Sequence, residues 1–461
     1  MSTFTPFAEK MESAGVSAAA VNAFSRCYEA LVSNHSGMIP ETDILPADQV
    51  ENWQDITAST PAADKDLISR CVCIKLNGGL GTSMGLQKAK SLLKVKGEDT
   101  FLDLIVRQVK HLRSISGTPV RLLLMNSFST SADTLAYLEK YAADGFADRA
   151  EVELLQNRVP KILADSLSPA SCPEQPELEW CPPGHGDLYP ALLGSGWLDR
   201  LLEDGVKYAF VSNSDNLGAQ LDMNFLRWFA ESGAPFVMEV TRRTEADRKG
   251  GHLAVRKSDG QLILREVAQC PDEDIPEFQN ISRHRYFNTN TLWIRLDALK
   301  EILDANGGVL PLPMIRNKKT LNPRDPETAP VYQLETAMGA GIECFPGARA
   351  VNVPRSRFFP VKTTSDLFLL RSDAIAVDEH GNVALAPERQ GNTPVWTWIP
   401  NCTSSVEFPG RAGPALPDRY GQADPARPLP LPGRSRSPGH LADGKRLRRN
   451  EEILPGVYAG A

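Results

Sequence analysis

A cluster of glycines that directly follows an apolar run predicts a site for phosphate groups. Gly78, Gly79, Gly81 and Gly85 come after the strand-like segment CVCIKL. Glycine permits sharp turns and close approach of the backbone to a ligand, and a series of free N–H groups forms a concave anion site. A strand that ends in such a loop is a candidate for binding the phosphates of a nucleotide, although such turns are often only structural.

The loop does not match the two best-known phosphate-binding patterns. A P-loop requires GxxxxGK[ST] and a dinucleotide loop requires GxGxxG, but Met84 occupies the position of a required glycine in both. Lys88 and Lys90 follow in the segment KAKSLL. Lys90 could place a cation beside the same phosphates, and the alternative is a solvated lysine at the start of a helix.

Polar and acidic side chains end another apolar run. The segment KYAFVSNSDN places Asn213, Ser214 and Asp215 at the end of a predicted strand. Mg²⁺ is a hard cation that prefers oxygen ligands, so Asp215 could link a metal ion to phosphate oxygens. The alternative is an Asx turn that only closes the strand.

Two further segments carry polar side chains beside turn-forming residues. PPGHGDLYPALL contains His185, although a single histidine is more often structural than catalytic. VNVPRSRFFPVKTTSD gathers Arg355, Arg357 and Lys362 in a chain whose formal net charge is −7. Because the chain as a whole is acidic, an anionic ligand requires a locally basic site such as this one. An ordinary basic surface patch is the alternative.

The elements that would position these segments alternate between strands and helices. The predicted helices are TFLDLIVRQVKHLRSI and SADTLAYLEKY, and the predicted strands are CVCIKL, RLLLMNS, VELLQN, KYAFVSNSD, APFVMEVT and NTNTLWI. This alternation indicates an α/β fold with a mostly parallel sheet. Such sheets bind ligands at the carboxyl ends of their strands, where the glycine loop and Asp215 fall.

Composition limits the class of protein. The chain has 461 residues, of which 42% are apolar and 23% charged, so wholesale disorder is excluded. The length predicts about two to four domains. No signal peptide is evident, no apolar run reaches the roughly 18 residues of a membrane span, and the eight cysteines lack zinc-binding spacing. We expect a reduced, cytoplasmic protein with no membrane or nucleic-acid partner.

Three regions are expected along the chain: a helical N-terminal region at 1–69, an α/β domain at 70–375 and an atypical C-terminal region at 376–461. Residues 409–438 contain eight prolines and five arginines. Proline removes backbone donors, so an irregular segment is predicted there. Residues 442–454 again have an ordinary strand-turn composition. One hypothesis is that 409–438 is translated in a shifted frame, which the coding DNA would test.

Taken together and in order, these segments resemble the UTP–glucose-1-phosphate uridylyltransferase family. LNGGLGTSMG followed by KAKSLL is similar to the family's LNGGLGTxMGxxxPKS loop, with Ala89 where the family commonly has proline. Similar segments are LLQNRVPKI, WCPPGHGDLYPAL, FVSNSDNLGAQLD, MEVTRRTEADRKGGHLA, FNTNTLWI, VYQLETAMGA and VNVPRSRFFPVKTTSDL. The resemblance covers residues from about 70 to 372 and implies a Rossmann-like nucleotidyltransferase core, with a mostly parallel sheet flanked by helices, after a helical N-terminal region.

The resemblance also implies roles for individual residues. Gln156 would read the uracil edge with Gly184 in backbone contact, Lys90 and Lys362 would be catalytic, and Asp215 would bind Mg²⁺. The full implied UTP site is Leu76, Asn77, Gly78, Gly79, Lys90, Gln156, Gly184, Asp215 and Lys362. The implied sugar site is His185, Asn213, Ser214, Glu239, Gly251 and Asn290.

The implied reaction is UTP plus glucose 1-phosphate to UDP-glucose plus pyrophosphate, which is reversible and uses Mg²⁺. The attacking phosphate oxygen is already an anion at neutral pH, so no general base is required. Catalysis would then depend on positioning and on cations at the transferring phosphoryl group. The resemblance thus predicts that two lysines and a metal ion, rather than a nucleophilic triad, do the chemistry.

Three alternative hypotheses stay open. A UDP-N-acetylhexosamine or broad-specificity UDP-sugar pyrophosphorylase would share most of these motifs. A nicotinamide oxidoreductase is disfavoured by the incomplete GxGxxG pattern, and a catalytically silent nucleotide-sugar-binding protein is disfavoured by the presence of Lys90, Asp215 and Lys362. The family commonly ends in a left-handed β-helix that takes part in subunit association. Residues 409–438 lack the Val- and Ile-rich strands of that domain, so this end of the chain does not decide the oligomeric state. A homo-oligomer stays an open hypothesis.

Overall fold

The computed structural model describes residues 3–33, 37–81, 84–86 and 88–389, together with two short strands nearer the C-terminus. The chain divides into two compact units. The first comprises Met1–Gly78, Arg113–Asn213 and Leu221–Arg355, and the second comprises Gly79–Leu112, Ser214–Gln220 and Ser356–Ala461. Residues 409–438 and 442–454 lie outside the described residues, so the irregular segment and the frame shift stay predictions, as do the region boundaries at 69 and 375.

The strands include every strand that the sequence predicts. Numbered along the chain, they are β1 (Ile44–Pro46), β2 (Glu51–Asn52), β3 (Cys71–Asn77), β4 (Lys94–Lys96), β5 (Asp99–Thr100), β6 (Arg121–Asn126), β7 (Glu153–Leu155), β8 (Val159–Pro160), β9 (Ile162–Leu163), β10 (Trp180–Cys181), β11 (Tyr208–Asn213), β12 (Phe236–Arg242), β13 (His252–Arg256), β14 (Leu262–Arg265), β15 (Tyr286–Arg295), β16 (Ile315–Thr320), β17 (Pro330–Glu335), β18 (Arg349–Asn352), β19 (Ile375–Val377), β20 (Val383–Leu385), β21 (Thr397–Trp398) and β22 (Val457–Tyr458).

The helices include both of the helices predicted between the strands. They are α1 (Thr5–Ser13), α2 (Ala18–Val32), α3 (Trp53–Ser59), α4 (Lys65–Ser69), α5 (Phe101–Ser116), α6 (Ser131–Leu138), α7 (Arg149–Val152), α8 (Leu188–Gly194), α9 (Trp197–Glu203), α10 (Met223–Ser232), α11 (Ile275–Phe278), α12 (Leu296–Ala305) and α13 (Thr364–Arg371). Over the part of the chain described here, none of them combines the length and the apolar character that a membrane crossing requires.

The first unit is built on a mostly parallel sheet, as predicted. Among the described residues its main strand order is β2–β18–β12–β15–β11–β3–β6–β7, and in this order only β15 runs antiparallel to its neighbours. Strands β1, β13 and β14 extend the sheet through antiparallel pairs. Strands β11, β3, β6 and β7 are adjacent and parallel, so their carboxyl ends share one edge of the sheet.

Burial explains why the central strands carry near-continuous apolar runs. Val72 and Ile74 of β3 are fully buried, and Cys71 and Cys73 are almost fully buried on the opposite face. A parallel strand covered on both faces loses the usual alternation of apolar and polar residues. The N-terminal helices are also confirmed, and they pack Phe7 of α1 against the aromatic rings of α2.

The second unit contains α13, the β19–β20 hairpin, and α5 as far as Leu112. Lys96 fixes the end of α13 to the hairpin, because its ammonium donates hydrogen bonds to the carbonyls of Ser372 and Ile375, both at 2.6 Å. Gln108 of α5 donates to the carbonyl of Gly381 at 2.9 Å. These contacts join segments that are far apart in the sequence into one compact body.

Candidate active site

In the first unit, the end of β3 is held by the turn that follows β6. Asn77 donates a side-chain hydrogen bond to Asn126 Oδ1 at 2.7 Å, and both side chains are buried. Thr130 donates from Oγ1 to the Asn77 carbonyl at 2.8 Å, and Ser127 donates from Oγ to the Gly78 carbonyl at 2.9 Å. The carbonyls at the start of the glycine loop are therefore occupied by side chains of the first unit.

Gln156 lies beside the start of that loop. Its backbone N–H donates to the Asn126 carbonyl at 2.7 Å, and its Nε2 donates to the Gly184 carbonyl at 2.8 Å. A Cβ atom added at Gly78 would lie 2.9 Å from Gln156 Oε1. The structure thus brings together three residues of the predicted UTP site, Gly78, Gln156 and Gly184, although the sequence separates them widely.

The turn that contains Gly184 and His185 requires glycine at its first position. Gly184 has φ = +80° and ψ = 172°, a backbone conformation available essentially only to glycine. The backbone N–H of Met338 donates to His185 Nδ1 at 3.0 Å. An Nδ1 atom that accepts a hydrogen bond carries no proton, so the neutral imidazole has its proton on Nε2.

Replacing Gly184 with alanine is expected to destabilise the protein and weaken UTP binding. The new Cβ would lie 2.5 Å from the Thr336 carbonyl oxygen. Backbone strain of about 1–3 kcal/mol adds to an overpacking cost of about 1–3 kcal/mol. Gly196 is the control, because its φ is +78° but a Cβ there meets nothing within 4 Å. Urea unfolding should show a clearly larger loss for Gly184→Ala than for Gly196→Ala, and equal losses would contradict the steric argument.

Residues of the predicted sugar site lie on β12 and β15. Glu239 of β12 is fully buried, and its Oε1 accepts a hydrogen bond from Trp293 Nε1 at 2.9 Å. Asn290 of β15 has φ = +56°, and reciprocal hydrogen bonds of 2.9 Å to Asn288 hold it in this conformation. Asn adopts this left-handed conformation more readily than most residues, and its short polar side chain can satisfy it locally.

Two more predicted sugar residues belong to the same unit. Gly251 accepts a backbone hydrogen bond from Asn288 at 3.2 Å, and a Cβ at Gly251 would lie 2.6 Å from the Glu266 carboxylate. Asn213 ends β11 and pairs with Leu76 of β3. The carboxyl edge of the sheet therefore carries Leu76 and Asn213. Gly251, the residue before β13, is hydrogen-bonded to β15 through Asn288.

In the second unit, the predicted catalytic and metal-binding residues converge. Lys90 Nζ lies 2.6 Å from Asp215 Oδ2 and also donates a hydrogen bond to the Val361 carbonyl. The Val361 N–H in turn donates to the Asp215 carbonyl at 3.2 Å. Lys362 is the next residue, and its backbone N–H donates to Asp366 Oδ2 at 2.9 Å in the capping box that starts α13. Ser214, predicted in the sugar site, is buried beside Asp215.

The carboxylate of Asp215, the predicted metal ligand, is only partly occupied by protein groups. Its Oδ1 atom is buried and has no hydrogen-bond partner among the described residues. The described part of the chain contains no group of three or more His, Cys, Asp or Glu side chains that could hold a metal by themselves. Mg²⁺ often binds through one or two carboxylates, several waters and substrate phosphates. Asp215 therefore fits the predicted ion.

Comparison with known proteins decides the family. The family model described as UTP–glucose-1-phosphate uridylyltransferase matches residues 21–407. The chain belongs to this family. It is 47% identical over 329 residues to the UTP–glucose-1-phosphate uridylyltransferase of Saccharomyces cerevisiae, and 44% identical over 330 residues to that of Solanum tuberosum. These matches cover 71% of this chain and 64% and 67% of the two relatives, so the chain spans about two thirds of their length.

Solved structures agree with the family assignment. A UDP-glucose pyrophosphorylase variant from Leishmania major, determined in complex with UDP-glucose, superposes with a TM-score of 0.80 at 45% identity. A UDP-glucose phosphorylase from Trypanosoma brucei superposes with the same TM-score at 47% identity. Both comparisons cover 86% of this chain and 84% of the other. The predicted α/β nucleotidyltransferase core is therefore confirmed as the core of this family.

One polar contact in the family's GHGD segment was missed by the sequence analysis. Asp187 is buried, and its carboxylate accepts hydrogen bonds from the Asn157 backbone N–H at 2.7 Å and from the Asn157 side-chain amide at 3.1 Å. A signal was present, because an acidic residue that directly precedes the apolar stretch LYPALL at the start of a helix must be either solvated or satisfied internally. Only the fold shows that Asn157 satisfies it.

Burial raises the pKa of Asp187 to about 7, although the hydrogen bonds from Asn157 lower it. In the unfolded chain the pKa of this carboxyl is about 4. Between about pH 4 and 7 the folded state therefore holds more protons than the unfolded state, and stability falls as the pH rises through this window. Asp187→Asn cannot ionise and should reduce this loss. Urea unfolding at pH 5 and pH 8 tests the prediction, which an unchanged pH slope in the variant would refute.

Proposed function

We propose that this chain catalyses the reversible transfer of the uridylyl group from UTP to glucose 1-phosphate, which yields UDP-glucose and pyrophosphate. The observation that carries the proposal is the contact between Lys90 and Asp215, the predicted phosphate-binding cation and the predicted metal ligand, with Lys362 on the adjoining turn. A cation and a carboxylate in contact can bind both phosphate groups and a metal ion, which the proposed transfer requires. Membership of the uridylyltransferase family supports the same conclusion.

Recognition of the base is proposed to depend on Gln156. The Nε2 contact with the Gly184 carbonyl and the position of Oε1 beside Gly78 fix the direction of the amide. A primary amide offers one acceptor and further N–H donors, and uracil presents N3–H as a donor beside carbonyl acceptors. An amide held in one orientation favours uracil over cytosine, whose N3 is an acceptor.

The reaction requires two anions to approach each other. An oxygen of the sugar phosphate attacks the α-phosphorus of UTP, a new P–O bond forms, and the bond to the β-phosphate oxygen breaks as pyrophosphate leaves. Lys90 and Lys362 are proposed to offset the negative charge that accumulates in the transition state. Asp215 would hold Mg²⁺, which when bound supplies further positive charge at the phosphate oxygens.

Glucose binding is proposed to use hydrogen-bonding groups of both strands and turns. The buried carboxylate of Glu239 and the side chain of Asn290 would contact sugar hydroxyls, and His185 would donate from Nε2. A buried carboxylate can accept several hydrogen bonds from hydroxyl groups. The resemblance also assigns Asn213, Ser214 and Gly251 to the sugar site.

A panel of sugar 1-phosphates tests the proposed reaction. The full chain is incubated with UTP, Mg²⁺ and either glucose, galactose or N-acetylglucosamine 1-phosphate, and pyrophosphate release is measured. Glucose 1-phosphate should give the highest kcat/KM, and CTP should replace UTP poorly. Equal rates with all sugars would instead support a broad-specificity enzyme, and a folded chain that releases no pyrophosphate would support a silent binding protein.

A further inference from the structure

The Gln156–Asn157 dipeptide is attached at both residues to the same short turn. Gln156 donates from Nε2 to the Gly184 carbonyl at 2.8 Å, while the Asn157 backbone N–H donates to Asp187 Oδ2 at 2.7 Å. The Asn157 amide adds two contacts of 3.1 Å to the same carboxylate. Four hydrogen bonds therefore join this dipeptide to the turn formed by residues 184–187.

The turn itself is fixed from its other side. The Gly186 N–H donates to the Thr336 carbonyl at 2.8 Å, and the Thr336 N–H donates to the Pro183 carbonyl at 2.9 Å. A Cβ atom at Gly186 would lie 2.2 Å from Thr336 Oγ1, so the turn packs closely against Thr336, the residue that follows β17. Asp187 thus connects the Gln156–Asn157 segment to a turn that is hydrogen-bonded and closely packed on its other side.

We propose that Asp187 is a positioning residue for nucleotide recognition, which acts through Asn157 to hold the amide of Gln156 against the base. This inference rests on the proposed uridylyltransferase activity and adds a residue that does not itself contact substrate. Both carboxylate oxygens of Asp187 accept hydrogen bonds from Asn157, so we assign its effect to these contacts rather than to a ligand. Removal of the Asp187 carboxylate should raise the KM for UTP more than the KM for the sugar phosphate.

The expected signature is a change in nucleotide affinity. Without the carboxylate, the partly buried N–H and side-chain amide of Asn157 lose their acceptor. Leaving polar groups unpaired costs free energy, and we expect the segment to shift in order to recover it. Asp187→Ala should raise the KM for UTP by at least about tenfold, and kcat and the KM for glucose 1-phosphate should stay within about threefold. Discrimination between UTP and CTP should also fall. Asp187→Asn keeps one carbonyl acceptor and should recover most of the UTP affinity.

A matched control separates positioning from general destabilisation. Asp103 at the start of α5 is also buried, and its carboxylate accepts hydrogen bonds from the backbone and side chain of Thr100. Asp103→Ala therefore removes a comparable buried carboxylate at a place with no assigned role in substrate binding. It should lower the melting temperature without the selective rise in the KM for UTP.

A double-mutant cycle provides the decisive test. If Asp187 acts through Gln156, the effect of Asp187→Ala on UTP affinity should shrink to within about twofold when Gln156 is already alanine, because coupled residues are not additive. Calorimetric titration with UTP, together with kinetics, supplies both readouts. Additive effects, or a selective KM change in Asp103→Ala as well, would overturn the inference. A folded wild-type chain that forms no UDP-glucose would instead overturn the proposed function.

Discussion

Lys362→Ala is expected to lower the rate of UDP-glucose formation by at least about 100-fold, the usual scale for losing one preorganised group that stabilises a transition state. The fold should survive this change. Lys362 is exposed, and the contact that starts α13 uses its backbone N–H, which donates to Asp366 Oδ2 and is kept in the alanine variant. The loss should therefore appear in kcat rather than in the melting temperature.

Steady-state kinetics with saturating UTP and glucose 1-phosphate would measure this effect. Lys88→Ala is the matched control, because Lys88 is an exposed lysine two residues before Lys90 in the same segment. It removes the same charge at a place with no assigned role and should change kcat by less than about twofold. Lys362→Arg should retain part of the activity, since it keeps the positive charge but alters its geometry. A Lys362→Ala variant with more than a third of wild-type turnover would contradict the assigned role.

Asp215→Asn is expected to produce the second large loss. The amide keeps the shape of the side chain but removes the negative charge that pairs with Lys90 and that would hold Mg²⁺. We expect kcat to fall by at least about 100-fold and the Mg²⁺ concentration for half-maximal rate to rise, because Mg²⁺ binds strongly only to charged oxygen ligands. A titration of the rate with Mg²⁺ measures both changes.

A second variant distinguishes the metal ligand from the ion pair. Lys90→Met combined with Asp215→Asn removes both charges, so no unpaired ammonium remains beside the Val361 carbonyl. If Asp215 served only to neutralise Lys90, this double variant should be as stable and as active as Lys90→Met alone, because losing Asp215 would then have no effect of its own. If Asp215 holds the metal, the double variant should be far less active than Lys90→Met at every Mg²⁺ concentration. Equal activities of the two variants would therefore assign Asp215 a purely structural role.

Much of the sheet follows from sequence pattern alone. The apolar run of β3 and the helical periodicity of α5 are local signals, and both elements lie where the pattern predicts. Strand direction is not a local signal. The antiparallel course of β15 depends on how the chain returns to the sheet, and neither periodicity nor composition encodes it. The sequence predicted a mostly parallel sheet but could not identify which strands pair antiparallel.

In the candidate site, too, the local features could be predicted from the sequence and the long-range contacts could not. Glycine-rich and acidic strand ends predict ligand contacts near Gly78 and Asp215, because the carboxyl ends of parallel strands bind ligands. The contact of Lys90 with Asp215 joins residues 125 positions apart, so no spacing rule could predict it. Asp187 and Asn157 are also too far apart in the sequence for a spacing rule to predict their contact. For Lys90, resemblance to a family supplied what the pattern could not.

The most direct test of the proposed activity is a ³¹P NMR time course of the full chain with UTP, glucose 1-phosphate and Mg²⁺. The proposed reaction predicts that UDP-glucose and pyrophosphate appear in equal amounts, and that added pyrophosphate with UDP-glucose regenerates UTP and glucose 1-phosphate. Hydrolysis of UTP with unchanged glucose 1-phosphate, or unchanged spectra from a folded chain, would contradict the proposed uridylyl transfer.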